Sequence, residues 1–505
     1  MNRKVGNKLK VAIIAIAIIS LAVAVYLVSG KDSRDRFIRA VAEGDIKTVR
    51  ELLKEDETLA QTQLHHRKAG TFRPVIQIAV SRGHQDVAKL LLSYDIDVRQ
   101  ISPALRLADS PPMAELLIAH GANVNWRSAN GSTAMHFFAA VDNLEMMEFL
   151  VDNGAIVNVT DRSGQTPLHK AAREGRLNAA KLLVSEGADI SAKSEEGKTP
   201  FDYAAMPVWN EDAYRLQQRR IDRCKEVAAY LLSCGSTATV FDLAWLGDME
   251  RFRAVIKSNP SLVNERAHEE PLLFAAIRGG SADVVEYLLT HGAKLRVTSR
   301  HQQSPLRLAA YMGHTDVARI LLDHGVDVDE KGQWGETALH WAAVKDNAEV
   351  AALLLEKGAD ADSQTSGHVV DLNVRAHDAD PVERELSWFR TRERQRRSRY
   401  LQVAVPPRLA FTTGDTPIHA ATYWNHADVV RLLIANGADI SSTNRWRETP
   451  LHYAVACRYH NIAERLLKSG ADPKAKTHEG MTPVDIAGKV KDKRLITMLS
   501  DRKRR

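Results

Sequence analysis

Gly164-Gln165-Thr166-Pro167-Leu168-His169-Lys170-Ala171-Ala172-Arg173-Glu174-Gly175 reads as one compact helical instruction. Gly164 supplies a turn at positive φ, and Thr166 is a helix-capping residue that can satisfy a free backbone N–H. Pro167 follows at the first helical position, where its missing donor costs nothing. Leu168, Ala171 and Ala172 form a thin apolar face that lets a second helix approach closely, and Gly175 ends the helix. A second helix is expected from the spacing of Leu177, Ala180, Leu182 and Leu183, closed by Gly187. Neither helix is long enough to be stable alone, so the unit has to stack on neighbours.

Those neighbours are present in the chain. His136, His169 and Asp202 hold equivalent places, and the steps 169 − 136 and 202 − 169 are both 33 residues. The same step joins Arg307 to His340, and His419 to His452 to Asp485. Thr166-Pro167-Leu168-His169-Lys170-Ala171 returns as Thr416-Pro417-Ile418-His419 and as Thr449-Pro450-Leu451-His452-Tyr453-Ala454. In period and motif the chain resembles the ankyrin-repeat family from about residue 32 to about residue 500. The resemblance implies an all-α solenoid of roughly 12–13 helix-turn-helix repeats. It implies little about function, since a stacked repeat is a scaffold for whatever its surface carries.

Lys and Arg number 69 against 63 Asp and Glu, a net charge of +6 over 505 residues. So small a charge on so long a chain does not by itself imply a nucleic-acid partner. Cys224, Cys234 and Cys457 show neither metal-ligand spacing nor a disulfide framework, and read as idle or buried thiols.

Residues 1–31 are expected to form a basic tail and a transmembrane signal-anchor. After Arg3, Lys4, Lys8 and Lys10 the chain is uncharged and mostly apolar from Val11 to Val28. That length gives a helix of ~27 Å, enough to cross a hydrocarbon core. The arrangement suits a single-pass protein with a cytoplasmic N-terminus and its repeats on the outer (periplasmic, lumenal or extracellular) side. The alternative is a signal peptide cut near Ala22-Val23-Ala24, which would release the repeats as a secreted protein.

Two arrays are expected, 32–236 and 237–500, before a basic tail at 501–505. Each opens with an atypical repeat: Ala42-Glu43-Gly44-Asp45 with Val49, Leu52 and Leu53, and Trp245-Leu246-Gly247-Asp248 with Phe252, Val255 and Ile256. Pro111-Pro112 should shorten the first helix of the third repeat. Past Gly358-Ala359-Asp360 the next helix is delayed to Thr416, which marks an insertion at 368–410. The resemblance puts it in a connecting hairpin, bordering the concave face.

Histidines recurring at the repeat period argue for structure, with each side chain bonding backbone of the adjoining hairpin. His368, Asp371, His377, Asp378 and Asp380 are a denser group, but lack the spacing of a metal site. No phosphate loop, nucleophile elbow or zinc-protease motif is present, so neither an enzyme nor a cofactor is expected. In the family, partner contacts usually come from hairpin tips and from the residues before the helix-ending turn. Those places hold Tyr311, Trp334, Tyr423, Trp424, Arg445 and Trp446, residue types that dominate binding hot spots. A protein partner held on the concave face of the second array is the leading expectation. The alternative is an anionic ligand (acidic protein, lipid headgroup or nucleic acid) clamped by Arg390, Arg392, Arg394, Arg396, Arg397 and Arg399. An enzyme site within the insertion is the remotest reading.

Overall fold

The structure is a computed structural model that describes residues 33–66, 71–205, 218–267, 270–298, 303–366 and 413–500. The chain divides into two compact units, one ending at Ala204 and also holding Ser233–Ser236, the other comprising Ala205–Leu232 and the chain from Thr237 onward. The apolar run Val11–Val28 lies outside the described residues. Among the described residues no helix is long and apolar enough to cross a membrane.

The quoted stretch folds as read. Pro167–Arg173 and Leu177–Ser185 are short antiparallel helices, and Leu168, Ala171, Ala172, Ala179, Ala180 and Leu183 are out of water. The alanines keep the helices close, and the leucines fill the space between successive pairs. In the first unit comparable pairs precede it, among them Val75–Ser81 with Gln85–Leu92 and Ala134–Val141 with Leu144–Asp152. In the second unit seven pairs follow one another among the described residues, from Val240–Leu246 with Met249–Ser258 to Pro483–Lys489 with Lys493–Ser500.

Three kinds of bond recur between successive pairs. At the first helix, His169 Nδ1 accepts from the backbone N–H of Thr166 at 3.0 Å and lies 2.8 Å from its hydroxyl. The proton therefore sits on Nε2, which donates to the Lys198 carbonyl of the following hairpin at 3.1 Å. His136, His340, His419 and His452 repeat this exchange with Gln165, Asp415, Glu448 and Met481. The recurring histidines are thus structural, as their period implied. Burial lowers the pKa of His136, His169, His340 and His452, pushing His136 and His340 down to about 4.

Neighbouring hairpin tips form a second ladder. Arg162, Glu195, Ser366, Arg445 and His478 each donate a backbone N–H to the carbonyl 32 residues back in repeat register. For Arg445 and His478 these carbonyls belong to Thr413 and Trp446. Gly164, at φ +71°, is required here, because a Cβ on it would lie 2.7 Å from the Glu195 nitrogen. The third ladder joins the helix-to-helix turns, where His314 Nε2 reaches the Arg278 carbonyl at 3.3 Å and His426 Nε2 the Val344 carbonyl at 2.9 Å.

Each unit contains the atypical repeat that the sequence marked. Ile46–Glu55 and Met249–Ser258, capped by Asp45 and Asp248, both run into a 3-10 turn, Glu57–Gln61 and Pro260–Asn264. A two-stranded antiparallel ladder follows each: Gln63–His66 with Thr71–Pro74, and Arg266–Ala267 with Glu270–Pro271. Two local readings change. The shortened first helix of the third repeat is a 3-10 turn, Ser102–Leu107, and Pro111 begins the second helix of that repeat, at a position where proline is tolerated. The helix Gln218–Ser233, placed by the sequence in the first array, groups almost entirely with the second unit. Lys225 on it donates to the Gly279 carbonyl and lies 5.5 Å over the Trp245 ring, and burial lowers its pKa to about 8.

Register is unbroken across the insertion. His340 and its acceptor Asp415 are 75 residues apart where His136 and Gln165 are 29 apart, a difference of 46. His426 and Val344 are separated by 82 where His314 and Arg278 are separated by 36, again 46. The two ends of the segment meet: Thr365 N–H donates to the Asp415 carbonyl at 3.0 Å, and Gly414 N–H to the Thr365 carbonyl at 2.8 Å. The insertion therefore replaces one hairpin tip and leaves the stack continuous. Its interior, 368–410, lies outside the described residues.

Candidate partner-binding surface of the second unit

Trp334 and Trp446 occupy the same place on their hairpins. Trp446 follows Asn444, whose side-chain oxygen accepts the N–H groups of Trp446 and Glu448, both at 3.0 Å. In the Trp334 hairpin the place of Asn444 is taken by Gly332, and the carboxylate of Glu336 folds back to accept the Trp334 N–H at 3.0 Å. Both indoles are half-buried, and both carbonyls are held by the next tip, from Ser366 and His478, each at 2.7 Å. Arg445 stands exposed beside Trp446.

Tyr423 ends the helix Pro417–Tyr423, and Trp424 is its cap. Asn425 takes the left-handed conformation, φ +66°, that glycine takes in other repeats, and so turns the chain directly after the indole. Tyr423 packs edge-on to Trp424 at 5.6 Å and to Tyr453 at 6.0 Å, so aromatic contact runs from one repeat to the next. Tyr423 and Trp424 are half-buried. Tyr311 departs from the expectation. It is only 8 % exposed, edge-on to Trp341 at 5.5 Å, with the Lys345 ammonium 4.2 Å from its ring centre. Its ring packs the stack rather than presenting a surface.

Beneath this surface lies a polar network that the sequence did not disclose. Asn444 Nδ2 donates towards Asp415 Oδ1 at 3.3 Å and Glu448 Oε2 at 3.0 Å, and Tyr453 OH donates to Asp415 Oδ1 at 3.2 Å. All four side chains are buried. Such a network fixes the hairpins against one another, because each lost bond would strand a buried polar atom. One signal was available: Tyr453 and Tyr203 each follow the residue, His452 or Asp202, that bonds back to the capping threonine of their repeat. Each stands edge-on to the histidine of the repeat before, at 5.6 and 5.3 Å from His419 and His169.

A further variation lies next to Trp334. Arg307 replaces the repeat histidine and reaches Glu336, 29 residues on, at 2.6 Å. A Cβ on Gly332 would fall 1.8 Å from the Arg307 guanidinium and 1.9 Å from the Glu336 carboxylate. The glycine therefore makes room for the ion pair. Burial raises the Glu336 pKa, and the Arg307 charge opposes that rise.

The arginines 390, 392, 394, 396, 397 and 399 lie outside the described residues, as do His368, Asp371, His377, Asp378 and Asp380. Among the described residues no cluster of histidine, cysteine and carboxylate groups has the arrangement of a metal site.

The sequence profile of the family described as ankyrin repeats (3 copies) matches residues 101–194, 222–332, 272–365 and 399–477, more than half of the chain. No curated protein matches the chain in sequence.

Proposed function

The chain belongs to the ankyrin-repeat family, and from that premise we propose that it is a non-enzymatic scaffold that grips a protein partner with the hairpin tips and first helices of its second unit. The observation that carries this reading is the row Trp334, Tyr423, Trp424, Arg445 and Trp446. These half-buried indoles and phenol and one exposed guanidinium lie on consecutive repeats of a stack whose register is unbroken. Large aromatic rings left partly in water favour a covering partner, and the rigid network of Asp415, Asn444, Glu448 and Tyr453 holds them in place beforehand. The apolar run Val11–Val28 anchors the chain in a membrane, and the repeats lie on the outer side.

Affinity capture with the full chain tests the reading. Trp424→Ala and Trp446→Ala should each weaken retention of the captured partner by about 1–4 kcal/mol while the melting temperature is kept. If both variants unfold the second unit and retention follows only the folded fraction, the row is packing and the proposal fails. The anchor is tested by the mature N-terminus and by membrane fractionation. A chain beginning near Val25 would show cleavage instead.

A further inference from the structure

The hairpin tip that carries Trp446 breaks a rule that its neighbours keep. Two residues before the capping threonine the chain turns at positive φ, and Gly131, Gly164, Gly335 and Gly414 fill that place at φ of +71 to +84°. Glycine suits it for two reasons. The conformation is costly for any residue with a Cβ, and a Cβ on the first three would lie 2.8, 2.7 and 2.6 Å from a backbone nitrogen of the next tip. In Asn444-Arg445-Trp446-Arg447 the same place is taken by Arg447, at φ +58°. Its next tip is present, since the His478 N–H bonds to the Trp446 carbonyl at 2.7 Å. This repeat therefore keeps a large cationic side chain where folding favours none, and such an outlier marks a use outside folding.

The surroundings indicate which use. The Arg447 N–H closes the turn on the Asn444 carbonyl at 2.9 Å, so Arg445, Trp446 and Arg447 all leave one tight turn. Both arginines are exposed, and among the described residues neither guanidinium has an ion-pair or hydrogen-bond partner. The carboxylates of this tip and the preceding one are turned inward. Glu448, 6 % exposed, accepts from Asn444 Nδ2 at 3.0 Å, and Asp415, 4 % exposed, accepts from Tyr453 OH at 3.2 Å. On the following tip Lys476 and Glu479 are both exposed and offset one another. Uncompensated positive charge is thus concentrated on one turn, on either side of one half-buried indole.

We propose that Arg445, Trp446 and Arg447 take an acidic segment of a protein partner and set the specificity of the second unit's surface. Carboxylates of the segment meet the two guanidiniums, each able to bind one bidentately, and an adjoining apolar residue covers the Trp446 ring. Charge confined to a single turn is not the track of phosphate contacts and stacking rings that a nucleic-acid strand uses. The proposal rests on the partner-binding reading above and adds to it Arg447 and the charge of the partner.

The probe is a library of random peptides displayed on phage and selected on the immobilised full chain. Binding of the selected peptides is then measured to the parent and to its Arg447→Gly, Arg445→Gln and Trp446→Ala variants. Enrichment of peptides rich in Asp and Glu beside an aromatic or aliphatic residue is expected. Arg447→Gly restores the residue that the other tips use, so its melting temperature should equal or exceed the parent's while its affinity for the peptides falls roughly tenfold. Arg445→Gln should weaken binding similarly, and so should added salt. Binding lost as folding improves is not a loss of structure. The proposal is overturned if the selected peptides carry no excess of acidic residues, if they bind Arg447→Gly as well as the parent, if that variant melts lower, or if oligodeoxythymidine displaces them. Loss in Trp446→Ala alone would leave the aromatic surface standing without its acidic partner, whereas full binding by all three variants would remove both readings.

Discussion

The guanidinium of Arg307 lies 2.6 Å from the carboxylate of Glu336, with 4 and 2 % of the two side chains in contact with water. Histidine does the same job elsewhere by handing one neutral N–H to a backbone carbonyl, so this repeat has exchanged a dipole contact for a buried charge pair. Breaking such a pair from one side leaves a charge stranded in a medium that solvates it poorly.

Arg307→Ala is therefore expected to destabilise the second unit by about 3–5 kcal/mol. Arg307→Met combined with Glu336→Gln should cost distinctly less, since neither charge is then stranded. Urea unfolding of the three proteins decides it. If the double variant is no more stable than the single one, the pair is not acting as a coupled unit.

Stability should fall on mild acidification. Burial holds the folded-state pKa of His136 and His340 at about 4, below the ordinary histidine value of 6.5, so the unfolded chain binds protons that the folded one refuses. The contribution is complete above pH 6.5 and is lost as pH falls from there towards about 4. Each such histidine supplies a slope approaching ~1.4 kcal/mol per pH unit. The lowered pKa values of His169 and His452, again mainly from burial, act in the same direction. The urea midpoint should be clearly lower at pH 5 than at pH 7, and an unchanged midpoint would contradict neutral, buried histidines.

Deleting residues 367–412, so that Ser366 joins Thr413, should leave the second unit folded. The stem is already closed by the bonds between Thr365 and Gly414–Asp415, and the register on either side matches after 46 residues are removed. Shortening the loop reduces its closure entropy, which favours folding by about 2 kcal/mol. A helical far-ultraviolet spectrum and a melting temperature at or above that of the parent are expected. Loss of cooperative unfolding would mean that the insertion is part of the core.

The repeats were legible because each states its own grammar locally. Thr-Pro-Leu-His encodes a cap, a first helical turn and a link to the next hairpin within four residues, so Thr166 to His169 sufficed to set the architecture. Trp334 and Trp446 read as hairpin-tip residues for the same reason. What stayed hidden depends on contacts across repeats. Tyr311 sits at a position that the family often exposes, and only Trp341 one repeat on decides that it is buried. The Arg307, Gly332 and Glu336 exchange is three compensating changes at separated places, and each alone looks like drift.

The residue three places after the capping threonine carries one more distinction. At 202, 242 and 485 it is occupied by aspartate, which accepts the N–H of Thr199, Thr239 and Thr482 at 2.7, 2.8 and 2.8 Å. An ionised carboxylate closes the helix start as well as imidazole does, but it has no proton to pass on to the next hairpin. In a one-dimensional cooperative system, histidine therefore raises the coupling between adjacent sites and aspartate leaves it lower. In the second unit Asp242 stands in the first helix pair and Asp485 in the last, with His340, His419 and His452 on successive pairs between them. Melting of that unit should then begin at its aspartate pairs and reach the histidine run last. One carbon-and-nitrogen ring against one carboxylate sets where a fluctuation in the stack stops.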